Sequence, residues 1–414
     1  MLKNRSPLLV LFFTIFLDML GVGMLIPVIP ILFAQPSSSH YLLPVGTSPE
    51  TGYLLLGILL ALFSLGQFIA APIIGQFSDK FGRKRLLAFS ILGTGVGHAL
   101  FAYAIFIGNI PLLFAARLFS GVAGGNIVVA QAAIADVTLP RDRSKNFGLI
   151  GAAFGLGFIF GPFIGGKLAD PNIVSWFNAA VPFCFAALLS FANVVLVRYF
   201  LTETNTHMKH DHTIDWGRSL RNIAHAFSLA QIRPLFITSF IYQIGFTFYV
   251  TFASVFLLTR FGFTEGMLGN YFAYIGIWIV IVQSVLTRFT SRWFSESQIL
   301  QNSLISAGLS IIAIVIAPQA GLLYVIVPFF AAAVGLSNAN LTALISRSAG
   351  PSIQGEVLGL SGSINALAMT IPPLIAGVVA SYAEPSTPLL LAAAIIIIGG
   401  LYFIDHTYRM KTAS

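Results

Sequence analysis

Leu8–Ala34 reads LLVLFFTIFLDMLGVGMLIPVIPILFA, an apolar run whose only charged residue, Asp18, lies near its middle. An α-helix needs about 17–25 apolar residues to cross the hydrocarbon core of a bilayer, and this run is long enough. It is too long for the apolar core of a cleavable signal, which would also lack an acid at its centre. Eleven further runs of the same character follow, at 52–77, 86–107, 111–135, 147–169, 177–200, 234–258, 267–287, 297–317, 322–345, 357–381 and 387–404. None alternates as a lipid-facing barrel strand does, and open sheet edges cannot be satisfied in lipid. All twelve are therefore read as helices.

Composition agrees. Of 414 residues, 57% are hydrophobic and 9% are charged, too little polar surface for a soluble domain. The net charge of +8 would suit nucleic acid in a soluble protein. Here the basic residues sit in short loops, and topology explains them better. With the N-terminus inside, 19 of the 22 Lys and Arg residues fall on the inner side, from Lys3 and Arg5 to Arg409 and Lys411. Only Lys167 and Arg260 fall outside, and Arg117 lies within a span. This bias places both termini in the cytoplasm. The single cysteine, Cys184, argues against a disulfide framework or a cysteine metal cluster.

The segment 201–233 separates two sets of six spans, giving an N-terminal bundle at 1–200 and a C-terminal bundle at 234–414. Within the linker, Trp216, Leu220, Ile223 and Phe227 recur at helical spacing beside Arg218 and Arg221. This suits a short helix on the inner membrane surface, or a partly ordered linker with chance periodicity. The bundles read as copies. GLIGAAFGLGFIFGPFIGG at 148–166 aligns without gaps on GLSGSINALAMTIPPLIAG at 359–377, pairing Gly148 with Gly359, Pro162 with Pro373 and Gly166 with Gly377. FSDKF at 77–81 and FTSRW at 289–293 pair at nearly the same offset. Parallel repeats of this kind place a binding site near the midplane where the halves meet.

Asp18 is the most informative residue. A charged carboxylate at the centre of a span costs roughly 2.5–3.5 kcal/mol on insertion scales, so an acid there is a functional candidate by default. Low dielectric favours the neutral carboxyl, and such a group can bind and release a proton. The plainer reading is a structural acid paired with backbone or hydroxyl groups. Arg117, early in the fourth span, must face a cavity or another helix, act on Asp18 directly or through water, bind an anionic group, or snorkel to the outer interface.

The loop after span two reads GQFSDKFGRKR from Gly75 to Arg85. Gly75 allows close helix contact and Gly82 a tight turn. Asp79 is placed to bond a neighbouring helix N-terminus, and Asp136 at the inner end of span four offers Arg83 a second partner. Such a cluster would latch one state of the inner face; a purely topological basic loop explains neither the aspartate nor the glycines. In span five, Gly157, Gly161 and Gly165 form two successive G-x-x-x-G steps with Pro162 and Gly166 beside them, predicting close packing and a proline-weakened bend.

Gln67, Asn126, Gln131, Gln243, Asn270, Asn338, Asn340 and Asn365 are candidates to line a cavity, with helix-to-helix hydrogen bonding the alternative. His207, His210 and His212 lack the carboxylates or cysteines that would complete a metal site, and a solvated loop is the better reading. No nucleophile elbow, phosphate loop or zinc signature points to an enzyme.

These motifs resemble the major facilitator superfamily, specifically its twelve-span drug:proton antiporter group, which includes tetracycline exporters. The resemblance rests on Gly75–Arg85, on Leu17-Asp18 with Pro27 and Pro30, on Arg117 with Gly121 and Gly125, and on Gly161-Pro162 with Gly165-Gly166. It implies an all-α integral membrane fold of two pseudo-symmetric six-helix bundles. It also implies an inner charge relay of Asp79, Arg83 and Asp136, with Asp79 near the start of span eleven, and proton coupling through Asp18 and Arg117. Two positions depart from tetracycline exporters. Span three has Gly95-Val96-Gly97-His98 where they carry an acid, and span eight contains no histidine. His98 then either replaces part of the proton path or bonds a neighbouring helix.

The sequence thus predicts a secondary transporter in the cell (inner) membrane, exporting small amphipathic compounds against protons by alternating access. It would act as a monomer, with the proton gradient as energy source, no cofactor and no nucleic-acid partner. Proton-linked uptake of a metabolite and a non-transporting receptor or scaffold on the same fold are the alternatives.

Overall fold

The computed structural model describes residues 7–44, 46–138, 143–206, 214–229, 231–348 and 354–413. Among these there are helices and connecting turns but no strand. Twelve helices are long and apolar enough to span a membrane: Pro7–Ala34, Pro49–Phe81, Arg83–Phe106, Ile110–Asp136, Ile150–Ala169, Val181–Phe200, Arg233–Phe261, Glu265–Thr290, Glu296–Ile316, Ala320–Ser348, Leu360–Tyr382 and Thr387–Arg409. They are numbered below as spans one to twelve, and each overlaps its predicted run. His207, His210 and His212 lie outside the described residues.

Local chemistry sets the ends. Asn109 caps span four by accepting from the Leu112 amide at 2.9 Å, with Pro111 in the first turn. Ser295 and Gln298 form a reciprocal capping box at the start of span nine. Span seven stops at Gly262, whose φ of 66° only glycine adopts readily.

Three spans are not regular throughout. Span one is helical over Pro7–Leu25, turns through residues 26–28 and resumes over Ile29–Ala34. Pro27 and Pro30 supply no amide there. Span four breaks after Ala123. Span eight carries a π-turn at Val282–Leu286, where the Thr287 hydroxyl bonds the Val282 carbonyl at 3.1 Å. The helix of span five, by contrast, runs from Arg143 to Ala169 without interruption at Pro162.

The chain forms two compact units. Unit one contains Met1–Gly46, Leu62–Arg218 and Phe263–Ala273; unit two contains Thr47–Ala61, Ser219–Gly262 and Tyr274–Ser414. The division runs through spans two and eight, so each unit holds a piece of the other repeat. Backbone contact explains this. In unit one, a Cβ on Gly269 of span eight would lie 2.6 Å from the Pro162 carbonyl and 3.2 Å from Gly166 Cα. In unit two, a Cβ on Gly57 of span two would lie 2.5 Å from the Pro373 carbonyl and 2.9 Å from Gly377 Cα. Pro162 and Gly166 are the residues that the repeat pairs with Pro373 and Gly377, so the two crossings are one arrangement made twice.

The glycine steps of span five also meet span one. A Cβ on Gly161 would stand 2.7 Å from Gly23 Cα, one on Gly157 2.5 Å from Met19 Cβ, and one on Gly165 would strike the Met24 carbonyl. In lipid, helices associate through such packing rather than through a hydrophobic drive, so small residues mark the seam. In unit two, aromatic residues fill the space around span seven, including Tyr249 against Phe330 at 4.6 Å between ring centroids.

The linker helix exists, over Arg218–Ser228. Phe227 meets Phe240 edge-on at 6.4 Å, and Asn222 donates to the Ser363 hydroxyl at 3.3 Å. Trp216 precedes the helix and is 71% exposed.

Gly161→Val should lower the thermal stability of the purified protein by about 1–3 kcal/mol, because the side chain would enter the Gly23 backbone. Gly151→Ala, whose Cβ meets nothing within 4 Å, should leave the melting curve in place.

Candidate functional site

The site is built around the break in span four. The helix stops at Gly124 and Gly125, where the Gly124 amide turns back to the Gly121 carbonyl at 3.1 Å and the Gly125 amide to Ala123 at 2.9 Å; a Cβ would crowd the Ser120 carbonyl at Gly124 and Ile74 at Gly125. A new helix then runs from Asn126 to Asp136. Carbonyls freed at membrane depth must be met by other protein groups. The Ser90 hydroxyl of span three donates to the Ala123 carbonyl, and Gln67 of span two donates Nε2 to the Gly124 carbonyl at 2.9 Å.

Asn126 is the first residue of the second helix and is 3% exposed. Its Oδ1 accepts from the Ile127 amide at 2.9 Å, which orients the amide group, and its Nδ2 donates to Asp18 Oδ1 at 2.6 Å. The Asp18 carboxyl thus faces the start of a helix, where orphan amides favour negative charge. It points at span four rather than at lipid.

Arg117 does not snorkel. It is 7% exposed, and its guanidinium lies over the Phe63 ring of span two at 4.4 Å. Among the described residues no carboxylate pairs with it, and the side chain bonded to Asp18 is Asn126. One and two turns further on, Gly121 and Gly125 let span two close in: a Cβ on Gly121 would lie 2.9 Å from Phe63 Cα, and one on Gly125 2.7 Å from Ile74 Cδ1.

A second polar cluster occupies the basic end of unit one. Arg83 bonds Asp79 through Nη2 at 2.6 Å, Asp136 through Nε at 3.0 Å and the Ser78 hydroxyl through Nη1 at 2.6 Å. Gly82, at φ 95°, makes the turn that sets Arg83 at the start of span three. That helix start is bonded by Glu203. Glu203 Oε1 accepts the Arg83 amide at 2.8 Å and Oε2 the Lys84 amide at 3.2 Å. Asp79 is paired with the arginine one turn away, a full charge on a full charge.

The linker continues the binding: Asn205 donates to the Asp79 carbonyl at 3.0 Å, while Gln76 both donates to and accepts from the Asp215 peptide, at 3.0 and 2.8 Å. The residues just before span eleven, 349–353, lie outside the described set. Arg85 is exposed, its guanidinium 5.9 Å from the Phe89 ring. A Cβ on Gly75 would touch Val128 at 3.3 Å.

The other polar candidates divide. Gln131 and Gln243 are half-buried. Asn338 is half-buried, and Asn365 accepts from the Ser239 hydroxyl at 3.4 Å. Asn340 is turned back to its own helix, donating to the Leu336 carbonyl at 2.8 Å. Asn270 is exposed.

The family model described as Major Facilitator Superfamily matches residues 11–373. The chain belongs to this family. The class B tetracycline resistance protein of Escherichia coli is 30% identical over 394 residues, covering 92% of this chain and 90% of that one. Multidrug resistance protein 2 of Bacillus subtilis (strain 168) is 27% identical, covering 96% and 94%. Among solved structures, a D-xylose-proton symporter shares the fold at a TM-score of 0.74 and 14% identity, covering 96% of each chain. The chain is a multi-pass membrane transporter of the superfamily, and its similar relatives include tetracycline and multidrug resistance proteins.

Sequence reasoning missed Glu203, Ser90 and the span-four break. Gly124-Gly125 followed by Asn126 was the available signal for the break, and a lone acid just after span six was the signal for Glu203. Glu203→Ala should destabilise the protein by about 0.5–2 kcal/mol by uncapping span three, read as a lower melting temperature in detergent.

Proposed function

We propose that this transporter exports small amphipathic compounds in exchange for protons by alternating access, with Asp18 as the proton carrier and both termini in the cytoplasm. The observation that carries this reading is the Asp18–Asn126 bond at the broken span four. It sets an acid at membrane depth against a helix start, in a place where protonation changes what the helix end meets. A carboxylate accepts strongly from Asn126 and a neutral carboxyl less so, so binding a proton alters the relative stability of the two access states. Arg83 with Asp79, Asp136 and the Glu203 cap would hold the cytoplasmic ends of spans two, three and four together in one of those states. The similarity to tetracycline and multidrug resistance proteins supports export over uptake, and the basic loops support the orientation.

The test uses the purified chain in liposomes with an imposed pH gradient, tetracycline and ethidium as probes, and a lumenal pH dye. Wild type should move a probe against the proton flow. Asp18→Asn should reduce uphill movement by about a hundredfold while downhill probe exchange persists. Probe and proton moving in the same direction would identify a symporter, and unchanged pH-driven flux in Asp18→Asn would remove that residue from the mechanism.

A further inference from the structure

Among the described residues, seven buried polar atoms of unit one have no partner among the protein's own groups: His40 Nε2 and Tyr41 Oη, which follow span one, and Thr14 Oγ1, His98 Nδ1 and Nε2, Arg117 Nε and Asn193 Oδ1 within the spans. Thr14 is 1% exposed, Asn193 1%, His98 3% and Arg117 7%. Those of Thr14, His98 and Asn193 stand on one side of span one. Thr14, Asp18 and Gly21 stand four and three residues apart and so share a helix face. Asn193 of span six reaches this face and donates Nδ2 to the Thr14 carbonyl at 3.1 Å. His98 of span three reaches it one turn beyond Asp18, its Cε1 lying 3.7 Å from where a Gly21 Cβ would be. Beside His98, a Cβ on Gly97 would strike the Ser120 hydroxyl of span four, one turn from Arg117. Asp18 sits between the two ends, with Oδ1 on Asn126.

Buried polar groups in folded proteins are nearly always paired, and those that protein atoms leave unmet are bridged by ordered water. We propose that a file of bound water runs along this face inside unit one, from Asn193 and Thr14 past Asp18 to His98 and Arg117. It carries the proton to and from Asp18. This rests on the reading of Asp18 as proton carrier and adds the route.

The groups suit the task, because a hydroxyl and a neutral imidazole each both donate and accept, as water does. In each hop one O–H or N–H bond breaks as the next forms, so one proton enters the file for each one bound at the carboxylate. The titratable groups facing the route are Asp18 from span one, His98 from span three and Arg117 from span four. Span six offers Asn193, which does not titrate. Span five meets span one through Gly157, Gly161 and Gly165, where backbone contact leaves no room for water.

The test follows the infrared carbonyl band of protonated Asp18 after a rapid pH drop, using the full-length protein in lipid and the Asp18→Asn difference to assign the band. His98→Leu, and Thr14→Val combined with Asn193→Leu, should slow the rise of the band by about tenfold or more while leaving its final height. His98→Gln, which keeps donor and acceptor, should restore most of the rate. Wild-type rates in both apolar variants would overturn the route, whereas absence of any Asp18 band in the wild type would overturn the carrier reading on which it rests. Hydroxyl-radical footprinting of the wild type serves as a second measurement that needs no variant. Radicals made from bound water should oxidise His98 despite its burial, and an unmodified His98 would overturn the route.

Discussion

Lipid offers no hydrogen bonds, so any backbone that leaves the helix inside a membrane must be met by other parts of the chain. Span four breaks at Gly124 and Gly125, and the consequences organise much of unit one. Ser90 and Gln67 are placed where they are because two carbonyls need donors. Asn126 is exact in its orientation because its own helix start holds it, and Asp18 takes its position from Asn126. The close approach of span two to span four, through Gly66, Gly121 and Gly125, keeps Gln67 within reach. A break that would be costly alone becomes the scaffold of the site.

The basic end of the same unit follows another rule, that a partly buried charge needs partners on every side. Arg83 is surrounded by two carboxylates and a hydroxyl, and its own amide is held by a third carboxylate from the linker. The linker is therefore part of the bundle's end. Residues 203–205 and 215 tie down spans two and three, and the short helix that follows is bonded within unit two.

Much of this was legible in the sequence. The twelve spans followed from apolar length alone, since the bilayer imposes it, and the glycine steps of span five followed from their spacing. Asp79, Arg83 and Asp136 meet as their positions suggested. What the sequence did not disclose depended on direction rather than identity. Asn340 and Asn126 are the same residue type at membrane depth, yet one bonds its own helix and the other an acid on a neighbour. Glu203 stands alone just after span six, and only the folded turn at Gly82 shows which helix it caps. The break in span four hid because Gly-Gly is also common at close helix contacts, and hydropathy runs smoothly across it.

The doubled crossing of Gly57 over Gly377 and Gly269 over Gly166 bears on how such a chain can be divided. Each unit is completed by a segment lent from the opposite repeat, Thr47–Ala61 in one direction and Phe263–Ala273 in the other. Severing the polypeptide in its linker would not release two self-sufficient pieces. Each fragment would carry a strand of glycine-lined surface made for a neighbour it had lost, and the exchanged segments would have to find their hosts again before either half regained its own packing.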